Sequence, residues 1–309
     1  MKITDIQTAA ERIAPHIHRT PVMTSRSLNE IAGCELYFKC ENLQRTGSFK
    51  MRGAANAVFS LPEMDADKGV CTHSSGNFAQ ALSLAAQERG VAAHIVMPRT
   101  APEVKQAAVK AFGGQITLCE PTLTAREETL AQIQSRTGAT FIHPYNNEIV
   151  IAGQGTAVLE LLADKSDLDV VIAPVGGGGL CSGTAIAAKG IKASIEVFGA
   201  EPLNANDAYL SLQAGCIMPP HPPNTIADGL LTALGELTFP ILRDNLTAIV
   251  TVTEEEIRQA MRLLWERLKI VVEPSGAVPL SAALKRNEIP HARIGVILSG
   301  GNVDVGKYI

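Results

Sequence analysis

The stretch that decides the fold comprises residues 170–180 and reads VVIAPVGGGGL. Its β-branched half predicts a buried strand, and its four glycines, Gly176–Gly179, lead into an alanine-rich segment of helical period at 182–189. Glycines leave the backbone N–H groups bare at the helix start, where the helix dipole also attracts an anion. We therefore predict a phosphate cradle between a buried strand and a helix; the alternative is a flexible tight turn.

This cradle matches neither of two common phosphate motifs. No Gly-Lys-Ser/Thr follows the glycines, as a P-loop would require, and Cys181 stands where the dinucleotide pattern needs glycine. The dinucleotide hypothesis stays open nonetheless, because Glu201 ends the next predicted strand, about where a ribose-binding acid would sit.

Outward from the cradle, short β-branched runs alternate with longer segments of helical period. A capping box, Thr253 with Glu256, opens one of the helices. Repeated βα units predict an α/β protein with parallel sheets flanked by helices. We predict helices at 102–112, 125–136 and 254–268, and strands at 35–40, 69–73, 94–97, 115–119, 140–143, 170–175, 194–199, 248–252 and 293–298.

The composition excludes several classes of protein. The chain has 309 residues, of which 46% are hydrophobic and 19% charged, with a net charge of −4, as expected of a globular protein without basic clusters. Nucleic acid and anionic membranes are therefore not expected as partners. The six cysteines form no Cys-x-x-Cys pair, and no apolar run approaches about 18 residues, so we expect a cytoplasmic protein without a disulfide framework.

Three further segments carry reactive or polar side chains at predicted element ends. Lys50 follows Gly-Ser-Phe and opens a helix, where burial favours a neutral, nucleophilic amine; the alternative is a solvated surface lysine. Residues 74–77 read Ser-Ser-Gly-Asn and form either a carboxylate site or an ordinary helix cap. Residues 299–302 read Ser-Gly-Gly-Asn after a predicted strand, which indicates either a ligand-binding loop or a turn.

Together these segments resemble the pyridoxal phosphate (PLP) enzymes of the serine/threonine dehydratase and serine racemase family, which have the tryptophan synthase β-like fold (fold type II). The resemblance covers essentially the whole chain. Each motif is short, but their joint occurrence in this order is specific. The motifs lie at 47–50, 74–77, 152–156, 176–179, 225–229, 273–274 and 299–302.

The resemblance implies a role for each site residue. Lys50 would form the Schiff base with PLP, Phe49 would pack against the ring, and Asn77 would meet the ring hydroxyl. Ser299 would hydrogen-bond the pyridine nitrogen. The phosphate would be held by Gly176, Gly177, Gly178, Gly179 and Leu180. The substrate would be bound by Ser74, Ser75, Asn77 and Arg126, although the Arg126 side chain could equally be solvated.

The resemblance also implies two domains and an activity. Residues 1–44 and 148–309 would form the large, phosphate-binding domain, and 45–147 the small, mobile domain. The expected activity is dehydration of a β-hydroxy amino acid such as L-serine or L-threonine to a 2-oxo acid and ammonia, with serine racemisation as a second activity. The alternatives are a serine racemase, a 3-hydroxyaspartate dehydratase, a nicotinamide dehydrogenase and a non-catalytic ligand-binding module.

Racemases of this family suggest three more features. Ser75 would exchange a proton on the face of the substrate opposite Lys50. Glu201, the Ala205 carbonyl and Asp207 would hold Mg²⁺ or Ca²⁺, although Glu201 could be a strand-end acid and Asp207 a helix cap. A homodimer is expected. Phe78 and Tyr145 depart from the family pattern, so the pocket is expected to differ.

Overall fold

The structure is a computed structural model that describes residues 1–219 and 222–308. Pro220, His221 and Ile309, which belong to the predicted large domain, lie outside the described residues. The strands are β1 Val22–Met23, β2 Glu35–Cys40, β3 Val70–His73, β4 Ala93–Pro98, β5 Gln115–Cys119, β6 Thr140–Phe141, β7 Val170–Pro174, β8 Glu196–Pro202, β9 Ala248–Val252 and β10 Arg293–Leu298.

Helices separate most of these strands. They are α1 Ile3–Ile13, α2 Arg26–Ala32, α3 Lys50–Phe59, α4 Glu63–Ala66, α5 Asn77–Arg89, α6 Glu103–Ala111, α7 Leu123–Thr137, α8 Glu148–Asp164, α9 Gly179–Ile191, α10 Asp207–Ala214, α11 Thr238–Asn245, α12 Glu254–Leu263 and α13 Pro274–Ala283. The predicted capping box is confirmed at the start of α12.

The strands form two sheets, which confirms the predicted α/β fold class. The larger sheet has the order β1-β2-β10-β7-β8-β9, and the smaller has the order β5-β4-β3-β6. All neighbours are parallel except β1, which pairs antiparallel with β2. The strands of the smaller sheet all lie within 45–147 and those of the larger sheet all lie outside it. The domain boundaries themselves stay a prediction.

Hydrophobic clusters cover both faces of each sheet. One face of the large sheet packs against α2, α12 and α13, and the other against α1, α8, α9 and α11. In the small sheet, α3 and α5 supply most of one core, and α7 supplies Leu130 and Ile133 to the other. Burial on both faces explains why strands such as 170–174 are continuously apolar.

Seven of the nine strands predicted from sequence lie within one residue of their observed ends, with two informative exceptions. β6 stops at Phe141 instead of His143, because the His143 ring accepts the backbone N–H groups of Tyr145 and Asn146 and so turns the chain. β8 starts at Glu196 instead of Ser194 and continues to Pro202, since it pairs with β9 over its second half. The two-residue β1 was not predicted.

Strand order places a crevice at one end of each sheet. In the large sheet the chain runs outward from β7 through β8 to β9 and then crosses back to β10 on the other side of β7. In the small sheet it runs outward from β3 through β4 to β5 and then crosses back to β6 on the other side of β3. Ligands bind beyond the carboxyl ends of strands at such switch points. The loops that follow β10, β7, β3 and β6 begin at residues 299, 175, 74 and 142, and they carry three of the predicted motifs, at 299–302, 176–179 and 74–77.

A buried group of four charged side chains joins α3 to the large sheet; we call it the ionic cluster and define it as Lys39, Glu41, Arg52 and Glu160. Arg52 is fully buried and donates to Glu41 Oε2 at 2.7 Å and to Glu160 Oε1 at 2.8 Å. Lys39 donates to Glu160 Oε2 at 2.5 Å. Arg52 lies two residues after Lys50, so the cluster fixes the first turn of α3.

Among the residues that the structure describes, no helix is long and apolar enough to cross a membrane.

Candidate active site

One cavity of about 400 Å³ lies at the two switch points. Its volume is in the range of small-molecule sites in proteins. Every residue predicted to bind the cofactor or the substrate contributes to its wall: Phe49, Lys50, Ser74, Ser75, Asn77, Arg126, Gly176, Gly177, Gly178, Gly179, Leu180 and Ser299. The fold therefore brings together segments that are separated by up to 250 positions in the chain.

Lys50 projects into this cavity from the start of α3. Its Nζ donates to the Pro144 carbonyl at 3.1 Å and lies 5.0 Å and 5.7 Å from the ring centroids of Phe49 and Phe78. Protein atoms enclose the amine except on the cavity side, and this desolvation lowers the pKa of Lys50 to about 8, against the opposing charge of Glu273. Lys50 is therefore not a solvated surface lysine, and its environment favours the neutral amine that a nucleophile requires.

The loop that carries Lys50 is fastened to the loop after β10. Phe49 N donates to Ser299 O, and Gly301 N donates to Gly47 O, both at 2.9 Å. Ser48 and Gly300 form an isolated antiparallel bridge. These backbone bonds hold the lysine and the Ser299 side chain on neighbouring parts of the cavity wall.

Residues 74–77 lie between β3 and the first residue of α5, so a helix N-terminus forms part of the cavity wall. No side chain caps α5 at Gly76 in the described structure, which leaves the first N–H groups of the helix without a side-chain partner. Such a terminus favours a carboxylate. The alternative interpretation, an ordinary helix cap, is wrong for α5.

The glycine run forms the N-terminus of α9, with Gly178 in the left-handed region at φ +87°. A Cβ at Gly177 would overlap the Tyr145 ring, and one at Gly178 would lie 2.8 Å from Thr238 Cβ. Side chains are therefore excluded, and the backbone N–H groups stay available to an anion. Tyr145, which departs from the family pattern, packs against the cradle at Gly177 and Gly179.

These features fit PLP. The cradle suits a phosphate, Lys50 is held in the same cavity without an ion pair among the described residues, and the Ser299 hydroxyl offers a neutral partner for a ring nitrogen. Phe49 supplies an apolar surface on the same wall. A hydroxyl, unlike a carboxylate, cannot hold a ring nitrogen in its protonated form.

Charged and titratable side chains that the sequence did not assign also line the cavity. Lys105 on α6 donates to Asp228 Oδ2 at 2.7 Å, which links the small-sheet side of the cavity wall to the large-sheet side. His143 accepts two backbone N–H groups through Nδ1, and burial lowers its pKa to about 4. His143 is therefore neutral and holds the Pro144–Tyr145 turn.

Arg126 lies on the cavity wall at the start of α7. Its Nε is buried and has no hydrogen-bond partner among residues 1–219 and 222–308. Burial, and next the positive charge of Arg126, lower the pKa of His73, which places the guanidinium near that ring. An uncompensated guanidinium at this position is suited to an anionic group of a ligand.

The three predicted metal ligands lie together outside the cavity, at the end of β8 and the start of α10. Glu201 accepts the backbone N–H groups of Ala208 and Tyr209 at 3.0 and 2.9 Å, and its burial raises its pKa to about 8. No group of three or more His, Cys, Asp or Glu side chains suited to a metal occurs in the described part of the chain. The predicted site consists of two carboxylates and one backbone carbonyl, so it is not a group of that kind and the finding does not test it. This metal site stays a prediction.

Sequence reasoning missed two functional candidates, Glu273 and Asn302. Both line the cavity, and both belong to motifs that were quoted only as marks of the family. One signal was available for Glu273: it directly precedes Pro274, a common first residue of a helix, so its side chain lies at a helix start facing the loops of the sheet edge.

The fold and the site define a PLP enzyme of the tryptophan synthase β-like class. The family model described as "Pyridoxal-phosphate dependent enzyme" matches residues 13–300. The chain therefore belongs to the pyridoxal-phosphate dependent enzyme family. This membership decides against the nicotinamide dehydrogenase alternative.

Individual relatives cover nearly the whole chain. It is 53% identical to the serine racemase of Dictyostelium discoideum over 99% of this chain and 96% of that protein, and a crystal structure of that racemase matches with a TM-score of 0.95 over 98% and 99% of the two chains. A beta-hydroxyaspartate dehydratase of Paracoccus denitrificans is 51% identical over 98% and 96%. The crystal structure of a T.th. threonine deaminase matches with 46% identity and a TM-score of 0.94 over 98% and 99%.

Proposed function

We propose that this enzyme dehydrates β-hydroxy amino acids such as L-serine and L-threonine to a 2-oxo acid and ammonia, and that it racemises serine as a second activity. The observation that carries the proposal is the single cavity in which Lys50, the N-terminus of α5 and the glycine cradle meet. The names of its relatives, which include serine racemases, a dehydratase and a threonine deaminase, support the same chemistry.

Each part of the cavity has its own task in this reaction. PLP, when bound, supplies a sink for the electrons left on Cα when its proton is removed. Lys50, whose pKa of about 8 populates the neutral amine near neutral pH, takes that proton. The N-terminus of α5 binds the substrate carboxylate and orients the Cα–H bond toward the amine. The β-hydroxyl then leaves as water, and the released enamine hydrolyses to the oxo acid and ammonia.

Two further features of the protein would influence the course of the reaction. The Ser299 hydroxyl would hold the ring nitrogen of bound PLP without fixing a proton on it, which would favour prompt loss of the β-hydroxyl. Movement of the 45–147 domain toward the large domain would exclude water during the reaction. The Lys105–Asp228 ion pair lies across this boundary at the cavity wall.

A substrate panel tests the proposal. The PLP-loaded enzyme is incubated with D- and L-serine, D- and L-threonine and the isomers of 3-hydroxyaspartate, and each is scored for 2-oxo acid and for inverted amino acid. We expect oxo acid from at least one L-β-hydroxy amino acid and inversion of serine. If enzyme that carries PLP turns over no member of the panel, the proposal is overturned and the chain is a non-catalytic ligand-binding module.

A second candidate function is dehydration of 3-hydroxyaspartate, which the unpartnered Arg126 Nε favours. The α-carboxylate of 3-hydroxyaspartate would bind at the N-terminus of α5. Its second carboxylate would then bind the Arg126 guanidinium. Arg126→Gln should then lower kcat/KM for 3-hydroxyaspartate by about 10-fold or more, and leave L-serine within a few-fold. Equal losses on both substrates would exclude this function for Arg126.

Three features of the proposal lie outside the cavity. A Mg²⁺ or Ca²⁺ at Glu201, the Ala205 carbonyl and Asp207 is supported by the closeness of two acids, since Asp207 contributes to the raised pKa of Glu201 after burial. Unchanged activity and unfolding temperature after exhaustive chelation would rule out a required metal. The homodimer and the cytoplasmic location stay predictions.

A further inference from the structure

A chain of side-chain hydrogen bonds runs behind the cavity wall and ends at Glu273. Asn77 Nδ2 donates to Glu273 Oε1 at 2.9 Å. Asn302 Nδ2 donates to Asn77 Oδ1 at 2.9 Å and to the Thr46 carbonyl at 2.7 Å. Asn77 is therefore held from both sides, by a residue at the start of α13 and by a residue after β10.

Two glycines make room for this chain. A Cβ at Gly300 would lie 2.5 Å from Glu273 Oε1, and a Cβ at Gly47 would overlap the Asn302 amide. Gly47 also has φ +72°, which favours glycine. The glycines that precede Lys50 and follow Ser299 are thus required by the packing of Glu273 and Asn302.

These hydrogen bonds fix the orientation of the Asn77 side-chain amide. The Thr46 carbonyl only accepts, so Asn302 Nδ2 faces it and also donates to Asn77 Oδ1. The Asn77 amide nitrogen therefore faces Glu273, whose Oε1 accepts. The amide nitrogen has two hydrogens, and Glu273 takes one of them. The second hydrogen is left for the cavity, whose wall Asn77 forms.

Glu273 is a buried carboxyl group without a salt bridge in the described part of the chain. Its side chain is 4% exposed. Burying a carboxyl group without a cation is costly, and such groups cluster at functional sites.

We propose that Glu273 is a positioning residue for the cofactor: it orients the Asn77 amide so that the remaining N–H is offered to the ring hydroxyl of PLP. The inference rests on the assignment of Asn77 to the cofactor in the proposed function. Glu273 acts through Asn77 and does not itself contact a reacting atom.

The test compares Glu273→Gln with Glu288→Gln, a matched change at an exposed carboxylate. Apoprotein is titrated with PLP, and the wavelength and pH midpoint of the visible band are recorded for the loaded protein. We expect Glu273→Gln to raise the Kd of PLP by about 10-fold and to shift the visible band, because Gln can also present its own N–H and leave the Asn77 amide free to turn. Glu288→Gln should match the parent enzyme.

A double-mutant cycle with Asn77→Ala separates positioning from a structural role. In the Asn77→Ala background, Glu273→Gln should change neither the Kd of PLP nor the band. Equal effects in both backgrounds, or a lowered unfolding temperature with an unchanged Kd and band, would overturn the inference. Asn302→Ala removes the other anchor of Asn77 and should reproduce the shift if Glu273→Gln does not fold. If the parent enzyme fails to bind PLP, the proposed site itself is overturned. If the parent binds PLP normally, the result for Glu273→Gln tests the role of Glu273 alone.

Discussion

Two buried polar regions lie side by side at the start of α3, and they differ in whether their charged groups are paired with opposite charges. In the ionic cluster, each charged group has an oppositely charged partner within hydrogen-bond distance. In the cavity, two residues away, Lys50 has a backbone carbonyl as its hydrogen-bond partner, and Glu273 has amides. Burial alone would lower the pKa of Arg52, but Glu41 and Glu160 raise it overall. The pKa values of Lys50 and Glu273 move to about 8 instead.

The difference teaches how one helix start serves both stability and chemistry. Paired charges that stay ionised tie α3 to the large sheet and hold its first turn in place. Unpaired groups with pKa values near neutrality can exchange protons. Removing a member of the first region should therefore lower the stability of the fold, and removing a member of the second should impair PLP binding or turnover.

The largest expected effect is that of Lys50→Ala. Under the proposed function, this change removes the base and the covalent attachment point of PLP, so turnover should fall by at least about 10²–10⁴-fold. The unfolding temperature of the apoprotein should not fall, because a buried amine without an ion pair is removed. Lys110→Ala, at an exposed position on α6, is the control and should keep full activity. Unfolding of Lys50→Ala at lower temperature would contradict the division between the two regions.

Arg52→Ala should have the converse effect. It leaves the Glu41 carboxylate buried without its cation, and breaking a buried pair in this way costs about 3–5 kcal/mol. Chemical denaturation measures the change. The exposed pair of Arg26 and Glu30 supplies the control: Arg26→Ala should change the unfolding free energy by no more than about 0.5 kcal/mol. Similar losses in the two variants would show that the ionic cluster does not anchor α3.

Within the cavity, Ser75→Ala should divide the two activities. If Ser75 exchanges the proton on the second face of the substrate, racemisation of serine should drop about 10²-fold or more. Formation of 2-oxo acid from L-serine should stay within a few-fold, since it needs Lys50 alone as the base. Ser74→Ala, in the same loop, should affect both activities alike. Parallel loss of both activities in Ser75→Ala would remove the assigned role.

The fourth expected effect is a pH dependence of apoprotein stability. Because burial raises the folded-state pKa of Glu273 from its ordinary value of 4.5 to about 8, the folded protein binds this proton more tightly than the unfolded chain does. The stabilisation is fully present below pH 4.5 and is lost as the pH rises to about 8. The unfolding free energy of the parent should therefore fall across this window relative to that of Glu273→Gln. Parallel curves would mean that Glu273 is ionised throughout.

The cavity could be predicted from sequence because its parts sit at element ends with unusual composition. Four successive glycines after a buried strand, or Ser-Ser-Gly-Asn before a helix, signal exposed N–H groups in a way that local physics explains. The resemblance then supplied the roles of Lys50 and Ser299. Neither source indicated the Asn77–Glu273 contact, because residues 196 positions apart meet only when the two sheets are brought together.

The ionic cluster could not be predicted for a related reason. Lys39 alternates with apolar residues in β2, and Arg52 lies in an ordinary helical segment, so each looks like a surface charge. Only the packing of α3 and α8 against β2 brings the four charges together. The shortening of β6 at Phe141 similarly depends on a side chain, His143, that bonds to the backbone beyond it.

The most direct test of the account is to trap the cofactor on its lysine. The PLP-loaded enzyme is reduced with borohydride, digested and analysed by mass spectrometry. We expect loss of the visible band and a pyridoxyl group on the peptide that contains Lys50, and nowhere else. A pyridoxyl group on another lysine, or none in protein that turns over L-serine, would contradict this expectation.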